Sequence, residues 1–347
     1  MKKVLAIVMV IAMILSLAAC GTAQKAPETA PKAAPETAPA AAPAPAPAPA
    51  TDFPKGDITM VIPQGLGGGS DLIARTIASE MEKVLGVSVI CKNVEGGSTS
   101  IGMQEVCDAA PDGYTIGMSM TNLATLSALG YSELTRDDFT ILGAVNYDAA
   151  TLMIRTDETR YNDVATLVEY AKAHPGELNW GTGAAGGMWH LAILNFCNAA
   201  GIQVNIVPNA GGGTGVGLAL ANGDIDVAAF SPVDCMAQID AKQIVPIVSF
   251  TKERMEPLPE VPTCAECGYD IITMSTRGYV APKGLPADVA AVLEDAIKQA
   301  CESEAFTSFV SNMQSNVFYL SGADYYKFMT EEVDIYVPLL KSAGLAK

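Results

Sequence analysis

The sequence predicts an α/β protein of two lobes with a ligand cleft between them. Three observations carry this. Strand-like and helix-like segments alternate along the chain. The alternation breaks at a strand-rich stretch, 139–155, and then restarts. Roughly 295 residues follow position 51, enough for two domains of ordinary size.

The first rhythm opens with a buried strand at 57–63, a glycine-rich turn and a helix from about 70 to 84. A strand at 87–92, a helix at 98–110, the turn PDGY at 111–114 and a strand at 114–120 follow. Such an order implies a mostly parallel sheet with helices on both faces. The second rhythm begins with a helix at 163–174, with Asn162 or Asp163 as N-cap. Strands at 178–180, 203–207, 225–230 and 244–250 alternate with helices at 187–200, 214–222 and 232–240. Past the prolines of 257–262 the chain returns to the first lobe near 277–281. Helices at 286–302, 304–312 and 322–341 and a strand at 316–320 close it. Ser321 and Asp324 give the last helix a start with capping-box spacing. Lobe 1 is thus expected at 52–150 with 276–347, and lobe 2 at 151–275. In such sheets ligands bind beyond the carboxyl ends of the strands.

Residues 1–19 read as a lipoprotein export signal. Lys2 and Lys3 precede an apolar stretch, 4–17, too short to span a bilayer comfortably. Small residues then lead to Cys20, the expected point of cleavage and lipidation. Two or more acyl chains hold a membrane stably. Residues 20–51 form an Ala/Pro-rich tether of extended geometry with no chemistry of its own. The expected location is extracytoplasmic, anchored to the cell membrane by Cys20. The chain carries 38 acidic and 21 basic residues, a formal charge of −17. Such acidity argues against nucleic acid or anionic lipid as a partner.

Besides Cys20 there are cysteines at 91, 107, 197, 235, 264, 267 and 301. Cys264 and Cys267 form a lone C-x-x-C, open to a disulfide, a redox pair or half of a metal site. The alternative is that all seven are small packing residues.

Two glycine-rich loops carry the chemistry. The first, PQGLGGGSD at 63–71, joins a strand to a helix. Gly65, Gly67, Gly68 and Gly69 expose backbone N–H groups, and the helix start adds unpaired donors and a positive dipole end. That makes an anion site without a cationic side chain. Ser70 adds a hydroxyl. Asp71 reads either as a helix cap or as an acceptor for a ligand amine or bridging water. The second loop, WGTGAAGGMWH at 180–190, repeats the arrangement through Gly183, Ala184, Ala185, Gly186 and Gly187. Its spacing fits a dinucleotide fingerprint, yet the acidic residue expected about 20 positions on is missing. A ligand with two acidic ends could bridge the two loops. Thr121 and Asn122, the stretch from Asn209 through Ala210 and Gly211 to Thr214, and Ser231 sit at other strand ends; they read as ligand contacts or as ordinary loop polarity.

Three rival functions are weighed. A nucleotide-binding enzyme would need acids, bases or metal ligands that do not cluster here. His174 sits at a helix end, and His190 reads as packing or loop bracing. The reading is therefore of a binding protein, not an enzyme, with no cofactor and no metal. A ligand-sensing or an adhesive surface lipoprotein would show a large apolar patch away from the cleft.

Across the mature chain the sequence resembles the solute-binding receptors of tripartite tricarboxylate transporters, also called Bug-type receptors. The resemblance rests on ITMVIP at 58–63 with GGSD at 68–71 and LIAR at 72–75, NVEGG at 93–97, APDGYT at 110–115 and DFT at 138–140. It continues in YAKAHPG at 170–176, the loop 181–190, NGDID at 222–226, Arg254 with LPEVPT at 258–263, and APKGLP at 281–286. The resemblance implies a type II-like periplasmic-binding-protein fold that clamps a small carboxylate. It implies a two-component membrane permease as partner, with the receptor acting as a monomer. By matching position, the ligand loops would be 65–71, 121–122, 183–187 and 209–211. Three departures stand out. Gln64 replaces a usual Phe, Gly187 a frequent Ser, and Asn209 with Ala210 a frequent Tyr-Lys pair.

Overall fold

The computed structural model describes residues 51–209, 212–313 and 315–347. The expected export signal, Cys20 and the tether through residue 50 lie outside the described residues, as do Ala210 and Gly211.

The described strands are β1 (Ile58–Ile62), β2 (Val89–Asn93), β3 (Thr115–Met120), β4 (Phe139–Ala149), β5 (Thr151–Arg155), β6 (Asn179–Thr182), β7 (Asn205–Pro208), β8 (Val227–Phe230), β9 (Ile244–Ser249), β10 (Met274–Pro282) and β11 (Asn316–Ser321). The described helices are α1 (Gly69–Leu85), α2 (Ser100–Cys107), α3 (Val164–Ala173), α4 (Met188–Ala200), α5 (Gly212–Asn222), α6 (Met236–Asp240), α7 (Ala287–Glu302), α8 (Glu304–Asn312) and α9 (Gly322–Ser342). The strands form two sheets, ordered β11-β4-β10-β3-β1-β2 and β7-β6-β8-β5-β9. The molecule is a two-lobed α/β protein, as the sequence predicts.

The sheets are less parallel than expected. In the first, β2, β1 and β3 run parallel while β10 and β11 pair antiparallel. In the second, β7, β6 and β8 are parallel and β5 is antiparallel to both β8 and β9. The cause is the crossing. Strand β4 leaves the first sheet where β10 returns to it, so these neighbours must run in opposite directions. The two crossings are tied together: Phe250 N–H donates to Ala150 O at 2.9 Å, and Thr273 N–H to Phe250 O at 2.9 Å.

Each parallel centre is apolar because helices cover both its faces. Ile58, Met60 and Ile62 of β1 are fully buried. Against them α1 places Ile73, Ile77 and Met81 at helical spacing, and α7 adds Leu293 and Ile297. In the second lobe Trp180, Phe196 and Phe250 are the largest buried side chains. A third apolar cluster joins α4 to α9 through Leu191, Tyr336 and Leu340. The Asp163 carboxylate caps α3 by accepting from Thr166 N–H at 2.8 Å. Ser321 caps α9 by accepting from Asp324 N–H at 3.2 Å. Helix α2 is shorter than expected, because residues 96–99 all hold positive φ and cannot continue a right-handed helix. All seven described cysteines are free, with Cys235, Cys264 and Cys301 buried.

Glu332 on α9 is 3% exposed, and neither carboxylate oxygen has a hydrogen-bond partner. Burial pushes its pKa well above the ordinary value, so the folded protein keeps a proton that the unfolded chain releases. This interaction favours folding fully below the unfolded pKa and weakens as pH rises toward the folded one. Glu332→Gln, which cannot ionise, is expected to gain stability relative to the wild type as pH rises from about 4 to 8. Urea unfolding across that range checks this; parallel profiles for the two proteins would contradict it.

Candidate functional site

The two glycine loops share one construction. Each follows the middle one of its sheet's three parallel strands, β1 or β6, and opens a long helix, α1 or α4. In the first, Gly67 takes a left-handed φ of 79° and Gly68 is the extended N-cap. In the second, Gly186 has φ 75° and Gly187 is the extended N-cap. Glycine suits those left-handed positions because it carries no Cβ to clash. The third residue of each helix then reaches back. Asp71 Oδ2 accepts from Gly67 N–H at 2.8 Å, and His190 Nδ1 accepts from Gly186 N–H at 3.0 Å.

This geometry gives Asp71 a role inside the loop. Its carboxylate, 1% exposed, also accepts from Arg75 Nε at 3.0 Å and Asn93 Nδ2 at 2.8 Å. Although burial works the other way, hydrogen bonds from Arg75, Gly67 and Asn93 hold its pKa below the usual carboxylate range. Of the two sequence readings, bracing of the helix start is the one its contacts fit. His190 is likewise buried, and burial lowers its pKa, which keeps it a neutral acceptor.

The loops face two neighbouring hollows between the lobes. The smaller, about 60 Å³, is lined by Ser98, Thr121 and Asn122 from the first lobe and by Ala184 to Gly187 from the second. Here a Cβ on Gly186 would lie 2.8 Å from Leu129, so the lobes touch closely. The Asn122 amide donates to Ser98 O at 2.6 Å and Thr99 Oγ1 at 2.8 Å, bracing the positive-φ run; its own oxygen is buried without a partner. Thr121 is buried and bonded inside the fold to Thr276 and Met274. Ser231 is buried with its hydroxyl unpartnered.

The larger hollow, about 310 Å³, has walls from both lobes. Gly69, Ser70, Asp148 and Arg277 face Trp189, Gly213, Phe230 and Asp234 across it. First-turn residues of α1, α4 and α5 line this hollow, and the start of a helix carries N–H groups without intrahelical partners and a positive dipole end. Arg277 is 8% exposed. Its Nε donates to Ser70 Oγ at 2.9 Å and its Nη2 to Asp148 Oδ2 at 2.6 Å. Asp148 also accepts from Ser315 Oγ at 2.7 Å.

A family model for the tripartite tricarboxylate transporter family receptor, TctC, matches residues 73–345. The chain belongs to that family. It is 29% identical to a UPF0065 protein of Bordetella pertussis (strain Tohama I), over 85% of this chain and 92% of the relative. A TctC solute-binding protein from Polaromonas, solved with no ligand, superposes with a TM-score of 0.77 at 26% identity, covering 84% of this chain and 99% of that one. Rpa4515 of R. palustris, solved with adipate, gives 0.70 at 26% identity, covering 85% and 99%. Family and fold are those of solute-binding receptors rather than of enzymes.

In this TctC-family receptor several cleft residues escape the sequence reading. Arg277 is the chief one: the anion site was expected to have no cation, yet a guanidinium lines its larger hollow. A lone charge within the fully buried strand MSTRGYVAP was the available signal. Asp148, Asp234 and Phe230 were missed because only the fold brings positions so far apart together, and Trp189, within the second loop, because the reading there kept to backbone donors. Nor do the two glycine loops share one hollow. Gly69 and Ser70 line the larger and Ala184 to Gly187 the smaller, although Met120 and Trp189 of the larger are chain neighbours of Thr121 and Met188 of the smaller.

Proposed function

We propose that this chain is an extracytoplasmic solute-binding lipoprotein that captures a small carboxylate and delivers it to a two-component membrane permease. The observation that carries the reading is the hollow between the lobes, where the start of α1, Ser70 and Arg277 converge. Backbone N–H groups, a hydroxyl and a guanidinium are the donors a carboxylate needs, and each charged hydrogen bond contributes roughly 1.5–3 kcal/mol. A few suffice for micromolar affinity, about 8 kcal/mol. The adipate held by a relative of the same family supports the same class of ligand. Family membership supports the permease partner. The lipid anchor at Cys20 and the ligand roles of Asn209, Ala210 and Gly211 belong to this proposal as well.

The test is a thermal-shift and calorimetry screen with aliphatic mono-, di- and amino-carboxylates beside matched amides. Carboxylates should raise the melting temperature and their amides should not. Ser70→Ala should weaken binding by about tenfold, the equivalent of one charged hydrogen bond. Stabilisation by amides and acids alike would defeat the reading.

A further inference from the structure

Cys264 and Cys267 stand outside the cleft. They flank Ala265 and Glu266 on a tight turn at 263–268. The turn is firmly held. Thr263 N–H donates to Glu266 Oε2 at 2.8 Å and Glu266 N–H to Thr263 Oγ1 at 3.2 Å, the reciprocal bonding of a capping box. Arg254 Nε donates to the same carboxylate at 3.0 Å. Cys267 N–H donates to Cys264 O at 3.1 Å. A turn closed in this way brings the two Cα atoms within about 7 Å, and a disulfide spans about 4.4–6.8 Å. Residues three apart on a helical turn also face the same side. Here both side chains pack on the apolar cluster of Phe196 and Phe250, with Cys264 fully buried and Cys267 half-buried. The motif alone was open to a disulfide, a redox pair or half of a metal site. A metal needs further ligands, and among the described residues no group of three or more His, Cys, Asp or Glu side chains is placed to hold one.

We propose that Cys264 and Cys267 form a thiol–disulfide couple that pins the last turn of the second lobe before the chain crosses back. The step is exchange with a small-molecule or protein disulfide. The half-buried Cys267 thiolate attacks one donor sulfur and expels the other as a thiolate. The Cys264 thiolate then attacks the Cys267 sulfur and expels the first donor sulfur. The two cysteines lose two protons and two electrons, and the donor disulfide becomes two thiols. Burial pushes the pKa of both thiols up, so exchange is slow once the protein is folded. The turn is stitched to the end of β9: Cys264 N–H donates to Ser249 O at 2.8 Å, and Ser249 N–H to Pro262 O at 2.8 Å. Phe250, the next residue, ties the two crossings together. Closing the bond therefore fixes a segment joined to the hinge. The couple does not depend on which solute the cleft takes. An extracytoplasmic setting is where such a bond persists.

Redox titration of the whole chain tests this. The protein is brought to equilibrium in glutathione buffers from reducing to oxidising, trapped with acid, unfolded, alkylated and mapped by peptide mass. Cys264 and Cys267 should resist alkylation together at the oxidising end, in a peptide lighter by two hydrogens, and should both react at the reducing end. The oxidised form should melt roughly 2–4 °C above the reduced form. Cys267→Ala, at a half-buried position, should remove that difference, and Cys267→Ser should do the same. Two free thiols at the oxidising end overturn the couple. So does Cys267 bonded to glutathione or to any cysteine other than Cys264. Equal melting of the two forms overturns the pinning of the turn. Zinc alone, bound by the reduced protein with loss of both thiols' reactivity, overturns the couple in favour of a metal site.

Discussion

Arg277→Met is expected to cost about 3 kcal/mol of stability and to abolish solute binding. The guanidinium is nearly buried and holds Asp148, whose side chain is 15% exposed. Its removal strands a carboxylate at the floor of the cleft and leaves Ser70 without its donor. A stranded buried charge costs more than the lost bond itself. The double variant Arg277→Met with Asp148→Asn should therefore recover half or more of the loss, because no unpaired charge remains and an amide can still meet Ser315. Binding should stay absent in the double variant. Chemical denaturation of all three variants reads both effects. A double variant as unstable as the sum of the singles would mean that lost packing, and not a stranded charge, sets the cost.

Gly186→Ala and Gly67→Ala should differ although the two glycines share one conformation. Both hold left-handed φ, so alanine costs about 1 kcal/mol at either. At Gly67 nothing lies within 4 Å of a new Cβ, and that penalty is the whole effect. At Gly186 the Cβ would meet Leu129 of the other lobe at 2.8 Å. The expected total there is about 2–3 kcal/mol, with lost affinity, since the lobes can no longer approach as closely. Melting curves and titrations for both variants decide the matter. Equal losses would show that the approach of Leu129 carries no strain. Bulkier residues at Gly186 should act more strongly in the same direction.

Much of the fold was legible because it is written locally. Apolar strands bounded by glycine turns located β1, β3 and β6, and the caps at Asp163 and Ser321 were placed by residue type and spacing. Strand direction was not legible for β10. A nine-residue run buried throughout reads the same forwards and backwards, and only the path between lobes sets its sense. The loops were found for the same local reason. Glycine marks positive φ, and a strand before and a helix behind mark an N–H-rich end. What surrounds the solute was hidden. Asp148 and Arg277 stand 129 residues apart, and no periodicity links them. Asp71 illustrates a subtler limit. An acid just inside a helix start can face outward or inward, and that choice depends on Arg75 and Asn93, whose approach the sequence does not declare.

The twin brace at the two helix starts has a consequence for how such loops are recognised in other chains. What recurs is a place rather than a letter: an acceptor sits four positions after a glycine held at left-handed φ. Carboxylate and imidazole fill that place equally well, so a search keyed to either one would treat half of this molecule as unrelated to the other. The grammar of the loop is conformational, and its spelling is free to drift.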